Sequence, residues 1–475
     1  MATTLIMSSV QPQPILIPPE LEAEMTPAVR AFVDMLIDRI AKLEARLGLN
    51  PQNSSLPPST QHPHAKPPRK KGQGKRKKRG GQPGHPRHQR QLIPTEECDA
   101  VVPLKPTTCR RCAAQLAGSD PEPLRHQVWE LPEIKPLVTE YQQHRLRCPC
   151  CDETTCAALP VGVPTGQSGP RLIAFTGLLM AYFRQSKRRA AMFLQDLLGQ
   201  PCCPSLAVKM EHQVAKSLEA PYEELRQALA EQPQVHMDES PTKEANQKAW
   251  LWTAVAPLFA VFAVFSSRAG TAVGNLLGEA YSGIVNCDRA KMYWQAKRLQ
   301  WCWAHLKRDF QALIDHPDAQ VKRLGHDLMH QVKLMFQHWW EYRSEKISWK
   351  TFQRRMAPVR AEVNALLLRG VFSGNDRLVG MCDELYKHRE WLWTFVDHEG
   401  VEPTNNTAER ALRHAVIWRK LSFGTQSAAG SRFVERMLTA IETCRLQKRS
   451  IFQYLTAAVE AHLAHRPAPS LVPAS

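Results

Sequence analysis

Three acidic residues in the second half of the sequence have surroundings suited to holding divalent cations. Asp238 follows the strand-like segment QVHM, Asp288 follows GIVNC, and Glu409 lies in the helix-like segment NNTAERALRHAV. Carboxylates are ligands that hard cations such as Mg²⁺ and Mn²⁺ prefer. Two such ions about 3.5 to 4 Å apart can activate an attacking oxygen and stabilise the leaving oxygen of a phosphodiester. The three residues are therefore candidates for metal-dependent cleavage of nucleic acid.

The elements that must position these residues follow from the hydrophobic pattern. It predicts three strands joined by hairpins, a helix, a fourth strand, and a fifth strand leading into a helix. This order favours an RNase H-like domain, in which the fourth strand lies parallel to the first and beside it. Asp238 is expected to end the first strand and Asp288 the fourth. Glu409 is expected at the edge of an apolar helix stripe, with Arg410 and Arg413 pointing elsewhere as candidate phosphate contacts.

A second set of candidate ligands is a group of paired cysteines upstream. The motifs are Cys109-Arg-Arg-Cys112 and Cys148-Pro-Cys150-Cys151, separated by the strand-like stretches HQVWELP and LVTEYQQHRLRC. A hairpin between the pairs would bring four thiolates together, which suits a structural Zn²⁺. The predicted ligands are Cys109, Cys112, Cys148 and Cys151, with Cys150, Cys156 and Cys98 as substitutes. The alternative is a set of free thiols on a small β-unit.

Cys302 and His305 form a third, weaker motif. Their spacing of one helical turn is that of a metal-binding pair, but a structural histidine with satisfied hydrogen bonds would show the same spacing. The structural interpretation is preferred. A contact with a DNA phosphate or a catalytic water is the functional alternative.

The charge of the chain indicates a polyanionic partner. The formal net charge is +17 and the pI is about 9.4. Residues 50–95 are rich in Pro, Gly, Ser and basic residues, and are expected to form a disordered tether that binds phosphates without reading sequence. A solvated linker with incidental charge is the alternative. The candidate DNA contacts are Arg69, Lys70, Lys71, Lys75, Arg76, Lys77, Lys78 and Arg79.

Two helical regions lie outside the predicted catalytic domain. Apolar residues from Phe32 to Leu47 recur at a coiled-coil spacing, which fits either a dimerising helix or a helix packed on its own protein. Residues 166–230 contain three helices, which fit a helix-turn-helix DNA-binding unit or a plain supporting bundle. The start of the sequence lacks the features of an export signal, and the apolar run from Trp250 to Phe265 is too short to span a bilayer. We therefore expect an intracellular protein with no membrane partner.

Together these patterns predict an α/β multidomain protein. The expected units are an N-terminal helix with a coiled-coil pattern at 1–49; a basic disordered linker at 50–95; a zinc-binding β-unit at 96–165; a helical DNA-binding unit at 166–230; an RNase H-like catalytic domain at 231–446, with a helical insertion at about 316–400; and a C-terminal segment at 447–475.

Several motifs, taken in order, resemble those of IS66-family insertion-sequence transposases. They are NSSLPPS, GGQPGH, the paired cysteines, VHMDES, NCDRAKMYW, CWAHLKRDF, NNTAERALRHAV and ETCRLQKRSIFQYL. The resemblance implies a DDE triad at Asp238, Asp288 and Glu409, which holds two Mg²⁺ or Mn²⁺ ions and catalyses DNA cleavage and strand transfer. It further implies that the zinc unit and its helical neighbour bind terminal inverted repeats, that target DNA is the second substrate, and that accessory proteins of the same element assist.

The resemblance also implies a homodimer or higher assembly on DNA, in the cytoplasm of a bacterium and associated with its nucleoid. The sequence departs from the family pattern at two places. Ser240 stands where the family commonly has Thr, a change that should keep the carboxylate of the first strand. Glu402-Pro403-Thr404 precedes the Asn pair, where the family often has an acidic residue closer to that pair, and this departure bears on the third carboxylate. Glu402 and Glu239 are therefore competing candidates for that position. The rival functions are a non-catalytic zinc-containing DNA-binding protein derived from a transposase, and an RNase H-like nuclease.

Overall fold

The chain is a mixed α/β protein. The computed structural model describes residues 18–47, 53 and 91–473. The helices and strands, numbered in chain order, are α1 (Pro19–Glu24), α2 (Pro27–Leu47), β1 (Arg145–Arg147), β2 (Thr154–Cys156), α3 (Pro170–Ala181), α4 (Lys187–Leu198), α5 (Pro204–Ser217), α6 (Glu219–Ala228), β3 (Gln234–Glu244), β4 (Gln247–Val255), β5 (Ala260–Phe265), α7 (Thr271–Leu277), β6 (Ile284–Cys287), β7 (Arg298–Trp301), α8 (Trp303–Ile314), α9 (Ala319–Arg343), α10 (Trp349–Val371), α11 (Asp376–Lys387), α12 (Glu390–Asp397), α13 (Asn406–Ser422), α14 (Ala428–Leu446) and α15 (Ile451–Leu463).

A five-stranded sheet with the order β5-β4-β3-β6-β7 forms the centre of the protein. β3, β4 and β5 are antiparallel neighbours, whereas β6 pairs in parallel with β3 and with β7. The two-residue turn between β3 and β4 contains Ala245 and Asn246, both with positive φ, as tight hairpin turns require. The parallel strand β6 is buried along its length, as expected for a strand covered on both faces. The prediction that the first and fourth strands are adjacent is therefore confirmed.

Both edges of the sheet are covered by helices whose side chains bond to the edge strand. On one side, Thr439 and Thr443 of α14 accept hydrogen bonds from the backbone N–H groups of Phe262 and Ala260 in β5, at 3.0 and 3.2 Å. On the other side, the hydroxyl of Thr394 in α12 donates to the backbone carbonyl of Leu299 in β7, at 2.6 Å. Pairing of the edge in this way satisfies backbone groups that would otherwise attract another strand.

The hydrophobic core is continuous across the predicted domain boundaries. One cluster of buried apolar side chains extends from Ile173 in α3, through the sheet, to Leu471 near the C-terminus. Helix α15 packs against α3 and α5, and α14 packs against α5. The helices of residues 166–230 therefore share their core with the sheet domain. The inserted helices α9 to α12 occupy residues 319–397, close to the predicted range.

Two expectations for the strands need correction. β3 does not end at Asp238 but continues to Glu244 as a hairpin with β4. The stretch HQVWELP is not a strand, and only Arg145–Arg147 is a strand in the second predicted stretch. That short strand pairs with Thr154–Cys156, because the hairpin closes around the second cysteine motif instead of joining the two motifs.

The N-terminal helix α2 exposes three of the apolar residues of the coiled-coil pattern, whereas Val33 is partly buried. Phe32, Leu36 and Ile40 are 56%, 40% and 40% exposed. These three side chains are therefore not packed into the core of their own protein. Among the described residues, no helix is both long enough and apolar enough to cross a membrane.

Candidate functional site

The parallel pairing of β3 with β6 brings Asp238 and Asp288 to the same edge of the sheet. The last pair in that ladder is His236 opposite Asn286. Asp238 is two residues after His236, and Asp288 is two residues after Asn286. Asp238 remains within the hairpin, opposite Thr253 of β4, whereas Asp288 follows the end of β6. The two aspartates that the sequence predicted as neighbours therefore lie at equivalent positions on adjacent strands.

The electrostatics of this edge favour a bound cation. Burial raises the pKa of Asp238 well above its usual range, and the charges of Glu239, Asp288 and Glu409 raise it further. Burial also raises the pKa of Asp288, although the N–H of Ala290, 2.8 Å from Oδ1, opposes the rise. Carboxylates that repel one another in a partly dry site are stabilised in the charged form when a metal ion neutralises them.

Helix α13 brings Glu409 to these aspartates, and Asn405 fixes where that helix begins. The side chain of Asn405 is 1% exposed; its Nδ2 donates to the carbonyl oxygen of Met237 at 2.6 Å, and its Oδ1 lies 3.3 Å from His236 Nδ1. Its backbone N–H donates to Cys302 Sγ at 3.2 Å. The start of α13 is therefore attached to β3, one residue from Asp238, and to the start of α8. Glu409 follows in the first turn of α13.

Glu409 has an oxygen free for a ligand, whereas Glu239 does not. Both oxygens of Glu239 are engaged, Oε1 with Arg268 and Oε2 with the hydroxyl of Tyr293 at 2.5 Å. Glu402 is partly exposed and lies 3.9 Å from Arg343. By contrast, Glu409 Oε1 is buried without a hydrogen-bond partner in the described part of the chain. Of the three candidates for the third carboxylate, Glu409 is the best prepared to bind a metal ion.

The three carboxylates do not all meet around one point. Burial raises the pKa of Glu409, and Asp288 raises it further, so that the charges interact. However, within the described ranges, one group of three or more His, Cys, Asp or Glu residues has ligand atoms that all lie within 4.8 Å of one another. This group consists of Cys302, His305 and Glu409. The ligands of two ions about 4 Å apart are spread over more than 4.8 Å, so a two-metal site does not require the three carboxylates to form such a group.

One ring nitrogen of His305 lacks the hydrogen bond that a structural histidine is expected to make. Its Nδ1 is buried, has no hydrogen-bond partner among the described residues, and lies 3.7 Å from Glu409 Oε1. Burial lowers the pKa of His305 to about 3, and the guanidinium groups of Arg308 and Arg289 add to the effect. The imidazole is therefore neutral at physiological pH. The sequence indicated Cys302 and His305 by their spacing, but gave no sign that Glu409 would join them.

The two cysteine motifs have the same local geometry. In the first, the N–H of Ala113 donates to the carbonyl of Cys109, and Ala113 has a φ of 56°. In the second, the N–H of Asp152 donates to the carbonyl of Cys148, and Asp152 has a φ of 65°. Backbone N–H groups of the following residues lower the pKa of Cys109 and of Cys148. In each motif, these backbone groups stabilise the thiolate form of the first cysteine.

The structure forms each cysteine pair without bringing the two pairs together. Cys109 and Cys112 interact with each other, as do Cys148 and Cys151, yet no group of three cysteine sulfurs within 4.8 Å occurs in the described residues. The four predicted zinc ligands therefore form two separate pairs. The convergence of these pairs stays a prediction.

The predicted DNA contacts divide into two groups. The basic residues of the tether, from Arg69 to Arg79, lie outside the described residues. Arg410 and Arg413 are exposed on α13, on the helix that carries Glu409. An exposed guanidinium close to the carboxylates is well placed to meet a DNA phosphate.

The sheet and its acidic edge define an α/β protein with a candidate site for divalent cations. The family model described as "Transposase IS66 family" matches residues 165–432, more than half of the chain. The chain belongs to the IS66 transposase family. A second model, described as a family of unknown function (DUF6444), matches residues 11–91.

A relative from Sinorhizobium fredii, "Uncharacterized protein y4qI", is similar to part of the chain. It is 23% identical over 316 residues, which represent 57% of this chain and 56% of that protein. The chain therefore spans about half the length of the curated relative it matches.

Proposed function

We propose that this chain is a DDE transposase, with an RNase H-like core formed by β3 to β7 and the helices around them. The observation that carries the proposal is the equivalent placement of Asp238 and Asp288 on adjacent parallel strands, with Glu409 held over the same edge. Family membership supports a transposase, and these carboxylates supply the chemistry that a transposase needs.

Asp238, Asp288 and Glu409 would hold two Mg²⁺ or Mn²⁺ ions. The donor set fits, because the residues offer oxygen ligands, their pKa values are raised by burial, and Glu409 Oε1 has no other described partner. When bound, such ions activate the attacking oxygen and stabilise the leaving oxygen. The attack is made by water at the element end and then by the freed 3′-OH on target DNA. Arg410 and Arg413 would position the phosphates.

The remaining regions serve DNA binding and assembly in this proposal. Cys109, Cys112, Cys148 and Cys151 would hold a structural Zn²⁺ once the two cysteine motifs meet. The zinc unit and the helices α3 to α6 would recognise terminal inverted repeats, and the basic tether would add affinity that does not depend on sequence. The exposed apolar face of α2 would pair two chains. Accessory proteins of the same element are further partners.

The test separates cleavage from binding on DNA that carries the terminal inverted repeats. Asp238→Asn and Asp288→Asn should each abolish Mg²⁺-dependent nicking at the element end while leaving repeat binding nearly unchanged, because phosphate contacts do not require the carboxylates. The matched control is Asp397→Asn, which removes an exposed carboxylate that pairs with Arg360 on the inserted helices. That variant should cleave at the wild-type rate.

Each alternative function has its own outcome. Specific repeat binding without nicking by the wild-type chain in Mg²⁺ or Mn²⁺ would identify a non-catalytic DNA-binding protein. A preference for branched or hybrid substrates over the terminal repeats would identify a nuclease. Loss of repeat binding in the Asp238→Asn variant would contradict the separation of binding from catalysis.

A further inference from the structure

A second cluster of potential metal ligands shares Glu409 with the three carboxylates. Cys302 and His305, at the start of α8, and Glu409, in the first turn of α13, have ligand atoms that all lie within 4.8 Å of one another. The cluster is buried on one side and open on the other: Cys302 is 1% exposed, whereas the His305 and Glu409 side chains are 18% and 38% exposed. Three potential ligands from two separate helices therefore converge on one small volume.

Two atoms in the cluster are buried without hydrogen-bond partners. They are His305 Nδ1 and Glu409 Oε1, and neither has a partner among the residues described. Their separation of 3.7 Å exceeds that of a hydrogen bond. Buried polar atoms are normally paired, so a pair of unsatisfied atoms facing one another calls for an explanation. A cation bound between them would satisfy both.

The donor set suits a borderline cation better than a hard one. Sulfur, imidazole nitrogen and carboxylate oxygen are the ligands of Zn²⁺, at about 2.0 to 2.3 Å, which places neighbouring ligand atoms roughly 3.3 to 3.8 Å apart in a tetrahedron. The 3.7 Å separation of His305 Nδ1 from Glu409 Oε1 lies in that range. The N–H of Asn405 donates to Cys302 Sγ, a hydrogen bond that stabilises a thiolate ligand. Mg²⁺, by contrast, prefers oxygen ligands in an octahedron.

We propose that Cys302, His305 and Glu409 bind a divalent cation of the Zn²⁺ class, and that this ion competes for Glu409 with the Mg²⁺ or Mn²⁺ of DNA cleavage. On binding, the Cys302 thiol releases its proton to solvent and its sulfur donates an electron pair to the ion. The binding claim needs only the cluster itself, whereas the competition rests on the proposed function. Zinc-class ions would therefore inhibit the cleavage reaction.

The competition follows from charge. The carboxylates of Asp238, Asp288 and Glu409 together carry three negative charges, whereas two divalent ions bring four positive ones. A third divalent ion within a few ångströms adds two more positive charges against one thiolate, in a partly buried site where repulsion is weakly screened. Full occupancy of both sites is therefore unfavourable. Excess Zn²⁺ should displace catalytic ions from the position next to Glu409.

The binding experiment compares two buried cysteines in the full-length chain. Zn²⁺ binding is titrated by calorimetry in Cys302→Ser and in Cys444→Ser, which alters an equally buried thiol on α14. We expect Cys302→Ser to bind one equivalent fewer than Cys444→Ser. His305→Ala and Glu409→Gln should weaken the same equivalent by at least about tenfold. Glu409 is partly exposed, so that variant tests the site even if Cys302→Ser does not fold. Identical stoichiometry and affinity across these variants would overturn the proposal.

The competition experiment measures Mg²⁺-dependent nicking at increasing Zn²⁺, with each variant compared with its own rate in the absence of Zn²⁺. Cys302→Ser should need at least about tenfold more Zn²⁺ than Cys444→Ser for half inhibition. Equal sensitivity would refute the competition, even if the binding site is confirmed. If no variant nicks DNA with any metal while Cys302→Ser still lacks one zinc equivalent, the proposed function fails and the zinc-class site stands.

Discussion

Replacement of Asn405 tests how the fold places Glu409. Asn405→Ala removes a hydrogen bond to the carbonyl of Met237 and a polar contact with His236, and it leaves both partners buried. A buried polar group that loses its partner costs about 1 to 3 kcal/mol. We therefore expect the free energy of unfolding in urea to fall by that amount. The adjacent Asn406 is exposed and provides a matched control of the same residue type. Asn406→Ala should change stability by no more than about 0.5 kcal/mol.

The same substitution should reduce nicking more than DNA binding. Glu409 lies one turn beyond Asn405, and its N–H donates to the Asn405 carbonyl at 3.2 Å. A loosened helix start shifts the carboxylate, and a displacement of 1 Å can cost about 100-fold in rate. We expect kcat for nicking to fall by up to that factor, with repeat affinity unchanged. If the Asn405→Ala and Asn406→Ala variants behave alike in both assays, Asn405 does not position Glu409.

Three further predictions concern stability and metal content. Thr439→Val leaves the N–H of Phe262 unpaired and should lower the free energy of unfolding by about 1 to 3 kcal/mol. The control is Thr456→Val, which should cost less because the Thr456 hydroxyl bonds to Phe452 within its own helix. Equal losses of stability in urea denaturation would contradict the role of Thr439 in covering the sheet edge. Burial raises the pKa of Glu435 from an ordinary 4.5 to about 7. Between pH 4.5 and pH 7 the folded chain therefore retains a proton that the unfolded chain releases. The free energy of unfolding should fall by about 3 kcal/mol as the pH rises through this range. Glu435→Gln should flatten that pH profile, and an unchanged slope would refute the assignment. Cys148→Ala should lose one zinc equivalent by elemental analysis, whereas alanine at the exposed Cys203 should not; equal zinc content would exclude the cysteine motifs as ligands.

The sequence predicted the parts of the fold that depend on local pattern. Alternation and apolar runs identified the strands of the sheet, and the rule for parallel crossovers correctly made the first and fourth strands neighbours. The position of Asp238 relative to Asp288 followed from the adjacency of these two strands. The extension of β3 to Glu244 was missed because polar residues continue the strand as an exposed hairpin, where hydrophobic alternation no longer marks it.

The parts that were missed depend on contacts between residues distant in sequence. Nothing in the NNTAER motif alone shows that Asn405 bonds to β3, because the partner carbonyl belongs to a residue 168 positions away. The same holds for His305 and Glu409, which lie on different helices. The hairpin around Cys148 was misplaced because short exposed strands, here Arg145–Arg147 and Thr154–Cys156, carry almost no hydrophobic signal.

The position of bound Mn²⁺ tests the central claim most directly. Anomalous diffraction from crystals of the full chain soaked in Mn²⁺ would locate the ions without any assumption about activity. The account predicts peaks in contact with the carboxylates of Asp238 and Asp288, with Glu409 as a ligand of one ion, and loss of those peaks in the Asp288→Asn variant. Mn²⁺ bound elsewhere, with no peak between Asp238 and Asp288 in the wild-type protein, would contradict it.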